Sequence, residues 1–130
     1  MPLPGEKTIV FLGWGLGNLT PIGVRMPPAY DDALRALDAA RATVFVLDVS
    51  TADYHSLEFG LEQVAEDTGG TYEKTHIFPD GATRRIARSM DGHYLLYYRR
   101  PDGLAAGTGL RVELVNPRLG EVIAPRALLR

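Results

Sequence analysis

The sequence contains no cysteine, which excludes disulfides, thiolate metal ligands and cysteine nucleophiles together. It has no apolar run near the ~20 residues that a membrane-crossing helix needs, so no membrane span is expected. Lysine is scarce, with 12 of the 14 basic residues being arginine. No Gly-x-Ser-x-Gly elbow and no Walker A loop occur, so the common hydrolase and nucleotide-triphosphatase signatures are missing. The three histidines, His55, His76 and His93, share no i, i+4 spacing. A zinc site needs at least three protein ligands, and the sequence suggests no cluster; each histidine reads as a surface or loop residue. Residues 1–20 lack the architecture of a secretory leader. Lys7 is their only cation, glycines interrupt the apolar stretch, and no small-residue cleavage site follows.

What is present fits one ordinary globular domain. A chain of 130 residues, 45% apolar and 23% charged, buries roughly two-thirds of its unfolded surface and needs no staples. The net charge of −2 is unevenly spread. Residues 1–83 carry 5 basic and 12 acidic groups, and residues 84–130 carry 9 basic and 4 acidic groups. The simplest account is that the two halves face each other in one fold. Arg84, Arg85 and Arg88, near Tyr94, Tyr97 and Tyr98, resemble the raw material of a nucleic-acid surface. With a pI of about 5.9, they read instead as a solvated helix face, and no nucleic-acid partner is expected.

Along the chain, Lys7-Thr-Ile-Val-Phe-Leu-Gly13 is a continuous apolar run of β-formers, suited to a parallel strand buried on both faces. Trp14 to Pro28 is rich in glycine and proline and reads as loop. Asp31 and Asp32 suit a helix start, with Ala33, Leu34, Leu37 and Ala40 on one face and Arg41 in the last turn. Thr43-Val-Phe-Val-Leu-Asp-Val49 repeats the buried-strand pattern. A second helix spans about 56–67 with Leu57, Leu61, Val64 and Ala65 inward, stopped by Gly69-Gly70. Thr71 to Thr75 is a short, more polar strand near a sheet edge. A third helix spans 80–90, with Ala82, Ile86, Ala87 and Met90 inward. Strands then follow at 94–98, 111–115 and 121–124, with turns at 101–103 and 116–120. The expected fold is α/β: a three-layer, mostly parallel sheet flanked by helices in residues 1–92, and an antiparallel β appendage in residues 93–130.

Several segments resemble one family. Leu3-Pro-Gly-Glu-Lys-Thr-Ile-Val-Phe-Leu-Gly is similar to the central fourth strand of a von Willebrand factor type A (VWA) domain. Ala39-Ala-Arg-Ala-Thr-Val-Phe-Val-Leu-Asp-Val resembles its helix-to-fifth-strand passage. Leu61-Glu-Gln-Val-Ala-Glu-Asp-Thr-Gly-Gly-Thr-Tyr, with Thr68, Gly69 and Gly70 at its centre, resembles the passage before the sixth strand. Tyr94-Leu-Leu-Tyr-Tyr, Leu110-Arg-Val-Glu-Leu-Val and Val122-Ile-Ala-Pro-Arg126 extend the likeness to the bacterial VWA-related branch. The resemblance implies a Rossmann-like fold represented by its C-terminal half, a protein-binding role, and the exported bacterial setting common in that family. It also implies a specific loss. Family members bind a divalent cation through an Asp-x-Ser-x-Ser loop after the first strand and an aspartate after the fourth. Here the first strand has no counterpart, and the fourth-strand equivalent ends in Gly13-Trp14-Gly15, which offers only carbonyls and Asn18 or Thr20 where a hard cation needs several oxygens. The metal-ion-dependent adhesion site is therefore expected to be degenerate. Without the first strand, residues 8–12 form an unpaired apolar edge, which proteins normally cover or pair. A homodimer through that edge is the expected outcome.

Two sets of residues remain as candidates for chemistry. The loop Gly13-Trp-Gly-Leu-Gly17-Asn18 follows a strand as a dinucleotide-binding loop does, but the fingerprint requires glycine where Asn18 stands, and Pro21 opposes a prompt helix. Asp48, Ser50, Thr51 and Asp53 lie beyond a strand's C-terminal end, where ligands of open α/β sheets bind; the plainer role is that Asp53 or Ser50 caps a turn or helix. The leading expectation is a non-enzymatic protein-interaction module with no cofactor, contacting its partner through Trp14, Leu16, Asn18, Asp48 and Asp53. The alternative is a small nucleotide-binding or hydrolytic α/β enzyme using the Gly13–Gly17 loop and Asp48.

Overall fold

The computed structural model describes residues 5–91, 94, 96, 99, 102–103, 111–120 and 122–124. A seven-residue strand, β1 (Lys7–Gly13), opens the described chain. Two three-residue strands follow, β2 (Asn18–Thr20) and β3 (Gly23–Arg25), which pair antiparallel. Helix α1 (Tyr30–Ala39) leads into β4 (Ala42–Asp48), α2 (Glu58–Thr68), β5 (Tyr72–Lys74) and α3 (Pro79–Met90). A single 3-10 turn lies at Pro117–Leu119. The main sheet has the order β1-β4-β5 and is parallel throughout. The chain is α/β, a parallel sheet flanked by helices with a small antiparallel sheet beside it.

Alternation along β4 sorts the core into two layers. Val44 and Val46 face α2, packing with Leu61, Val64 and Ala65, with Tyr30 and Leu37 of α1 at the margin. Phe45 and Leu47 face the opposite way, onto Ala82 and Ile86 of α3, with Met90 beside them. This is the two-sided burial that a continuous apolar strand requires. Helix α1 is held less deeply: none of its residues is buried, and the Tyr30 hydroxyl reaches Asp67 at 2.8 Å to tie it to α2. On α3, Ala82 and Ile86 are buried as expected, whereas Ala87 turns to solvent, because the helix meets the sheet along a narrow stripe.

The Thr68-Gly69-Gly70 passage has a separate physical reason at each position. The Thr68 hydroxyl donates to the Val64 carbonyl at 2.8 Å and accepts the Val44 backbone N–H at 3.0 Å, linking the end of α2 to the middle of β4. Gly69 takes the left-handed conformation that ends the helix, at φ 76°. Gly70 passes so close to β4 that an added Cβ would lie 2.0 Å from the Val44 carbonyl oxygen. Only glycine fits there.

Three features differ from the sequence reading. The segment read as loop contains the β2–β3 hairpin, because Pro21 occupies its turn and not a strand, and the Thr20 hydroxyl closes that turn on the Gly23 carbonyl at 2.8 Å. Strand β1 is not buried on both faces. It lies at the end of the sheet, and Ile9, Val10, Phe11 and Leu12 are 36–64% exposed. Lastly, Arg111–Val115 forms no strand; Arg111 instead pairs with Glu113 of the same segment at 2.6 Å. Parts of the strands expected at 94–98 and 121–124 fall outside the described residues, and Tyr94, Leu96 and 122–124 form no strand.

Candidate functional site

Parallel pairing in register, Lys7 opposite Ala42 through Gly13 opposite Asp48, brings the ends of β1 and β4 to one edge of the sheet. Asp48 ends β4 and is 1% exposed. One carboxylate oxygen, Oδ1, accepts the Ser50 backbone N–H at 2.8 Å. The other, Oδ2, accepts the Tyr72 hydroxyl at 2.7 Å and lies 2.8 Å from His55 Nε2. The Asp48 carbonyl accepts both the backbone N–H and the hydroxyl of Thr75, at 2.9 and 2.8 Å. Burial pulls the Asp48 carboxyl upward, but the hydrogen bonds from Tyr72, Ser50 and His55 outweigh it and leave the pKa below the ordinary carboxylate range. Burial, together with the Asp48 carboxylate, pushes the Tyr72 phenol well above its usual range.

Next to this centre, the Lys74 ammonium pairs with Glu58 and donates to the Asp53 carbonyl. Glu58 is the first residue of α2 and is 7% exposed. Its buried Oε2 is held by the Lys74 ammonium, a charge-assisted contact. That contact holds the Lys74 ammonium above its ordinary range. Tyr54 lies under the same ammonium, 5.9 Å from ring centroid to Nζ, and meets Phe59 edge-on at 6.3 Å.

The five candidate contact residues divide into two groups. Trp14, 73% exposed, and Asn18 and Asp53 face solvent. Leu16 packs on the α2 side of the core and donates its N–H to the Leu57 carbonyl at 3.2 Å. Asp48 is enclosed by its own partners. Neither Asp53 nor Ser50 caps α2, whose N-terminus has no side-chain cap; the capping side chain is Asp48 itself, on the turn at Ser50. The glycine loop runs into the β2–β3 hairpin, so no helix follows it directly as one follows a dinucleotide-binding loop. Residue 60 must be glycine for the loop to sit as it does, since a Cβ there would lie 2.1 Å from the Leu16 carbonyl.

Sequence reasoning missed His55, Glu58, Tyr72 and Lys74. The spacing Asp48-x6-His55-x2-Glu58 and the alternation Tyr72-x-Lys74 were the available signals, and neither matches a common motif. Beyond Lys74, a depression of about 630 Å³ is lined by Asp53, Lys74, His76, Phe78, Arg84 and Arg85. Its charges are mixed, and Arg85 already pairs with Glu73 at 2.7 Å.

Comparison with known proteins finds no match. No family model, no curated protein and no solved structure is significantly similar to this chain.

Proposed function

We propose that the chain is a non-enzymatic protein-interaction module, VWA-like in plan and without the family's adhesion-site metal, that works by strand addition at β1. The observation that carries this reading is the open side of β1, where Ile9 to Leu12 expose apolar side chains beside a row of backbone groups that nothing pairs among the described residues. An added strand supplies main-chain hydrogen bonds for affinity and side-chain contacts for specificity. The occupant is a second copy of this chain. Residues 8–12 carry no charge, so two copies meet without repulsion. An antiparallel pair centred on Val10 sets Ile9 of one copy opposite Phe11 of the other, a favoured β-branched–aromatic pairing. The arrangement extends the sheet across a two-fold axis. Trp14, exposed at the end of β1, gives the same surface an aromatic anchor.

The nucleotide-binding or hydrolytic alternative draws no support from the site. Asp48 is held ionised by three donors, whereas acid–base work at neutral pH favours a raised carboxyl.

Light scattering after size exclusion, over a tenfold concentration range, tests the proposal. The expected result is a species of twice the 14.2 kDa chain mass, converted to monomer by Leu12→Lys with an unchanged circular dichroism spectrum. A monomer across the range, or a dimer indifferent to Leu12→Lys, overturns it. Trp14→Ala is expected to weaken association without unfolding the chain.

A further inference from the structure

The geometry points to a binding site for a divalent transition metal, of the Zn²⁺ class, formed by Asp48, His55 and Glu58. This goes beyond strand addition and is independent of it. It is also a different place from the adhesion site of the resembled family, whose counterpart here is the Gly13-Trp14-Gly15 loop; these three residues follow β4, and one of them is an imidazole.

Each residue contributes one donor atom, and the three atoms lie within 4.8 Å of one another. A tetrahedral ion 2.0–2.2 Å from each ligand holds its donors about 3.3–3.6 Å apart. Small side-chain rotations close the difference. The ligand set of one nitrogen and two carboxylates suits a borderline cation, whereas Ca²⁺ requires six to eight oxygens.

Two further observations point the same way. The first is the buried Glu58 carboxylate, whose Oε2 already holds a cation, the Lys74 ammonium, at the place where a ligand oxygen holds a metal. A divalent ion bound there takes the place of the Lys74 ammonium as counter-charge to the buried carboxylates of Asp48 and Glu58. The second is the support behind Asp48. Metal-ligating carboxylates are themselves held by hydrogen bonds, and the Tyr72 hydroxyl and Ser50 N–H fix this one before any ion arrives. Lys74 is then a resident cation that the metal displaces, and the Asp53 carbonyl, which it already contacts, gives it a place to go.

The test is titration of the full chain with ZnCl₂ by calorimetry, with the melting temperature and solution mass followed in parallel. One equivalent is expected to bind and to raise the melting temperature at unchanged mass. His55→Ala and the near-isosteric Glu58→Gln are each expected to weaken binding more than about tenfold, and Tyr72→Phe about tenfold through loss of support. Lys74→Met is expected to tighten binding by removing the competing ammonium, a result that a purely structural ion-pair network would not give. His76→Ala is expected to change nothing. No binding at 100 µM Zn²⁺, binding unaffected by Glu58→Gln, or binding that appears only with a rise in mass overturns the proposal. Glu58→Gln decides the matter if His55→Ala fails to fold.

Discussion

Strands β1 and β4 are near-copies in composition, Lys-Thr-Ile-Val-Phe-Leu-Gly against Ala-Thr-Val-Phe-Val-Leu-Asp, and lie side by side in register. Their surroundings are opposite. From Val44 to Leu47, β4 is 0–8% exposed, with a helix on each face and a strand on each side. Among the described residues β1 has a strand on one side only, and α3 lies over β4 and β5 rather than over it. A run of Val, Ile, Leu and Phe therefore states how much burial a strand can use, and its neighbours decide how much it receives. On β1 the difference between the two remains as exposed apolar surface.

The matched pair Leu12 and Leu47, opposite one another on the same face, breaks this comparison most directly. Leu47→Ala is expected to cost about 2–5 kcal/mol in urea unfolding. Leu12→Ala is expected to stay within about 0.5 kcal/mol for the monomer. Equal losses would mean that β1 is covered in solution. Next in size is the attachment of β4 to α2. Gly70→Ala forces a Cβ onto the Val44 carbonyl and is expected to cost about 3 kcal/mol. Gly81→Ala in α3 is the control: its new Cβ meets nothing closer than 3.4 Å, and helix propensity favours it by up to about 1 kcal/mol.

Smaller effects come from carboxylates, one at the end of β4 and one on α2. Asp48 stands where β1 has Gly13. Its pKa in the fold lies below the ordinary carboxylate range, so its stabilisation is complete above the unfolded value and is lost as the pH falls through the folded pKa. Asp48→Asn is expected to cost about 1–3 kcal/mol at pH 7 and to flatten the acid limb of the stability curve. An unchanged acid limb would show that another group sets it. The smallest effect is expected at Glu62, where burial and then the Glu58 and Glu66 carboxylates raise the pKa above 4.5. The protonated form is the one the fold prefers, so its contribution is present at low pH and lost as the pH rises through the folded pKa. Glu62→Gln is expected to raise stability at pH 7 by a few tenths of a kcal/mol, and to make no difference near pH 4.

The sequence was legible wherever a local pattern had a local cause. The strands read at 7–13 and 43–49, the apolar stripe of α2 and the glycine stop at Gly69 all form as elements, although the burial read for 7–13 does not follow. The edge position of 8–12 came only from the family resemblance; among the described residues β1 has β4 alone beside it. The β2–β3 hairpin was hidden by its own punctuation, since Pro21 and Gly23 read as loop while serving as a turn. The polar cluster was only half legible. Asp48 stands out at the end of a strand, but its partners arrive from a loop, from the first turn of α2 and from β5, and only parallel pairing brings Tyr72 beside it. The exposure of Trp14 and the enclosure of Leu16, two residues apart on one loop, likewise depend on where α2 comes to rest.

The parallel pairing of β1 with β4 also sets a chronology. Its register separates the partners by 35 positions. At a synthesis rate of about 5–20 residues per second, β1 leaves the ribosome roughly two to seven seconds before β4. The least sheltered strand of the finished molecule is thus also the one that waits longest for its first neighbour. Residues 8–12 pass that interval with neither edge paired to β4.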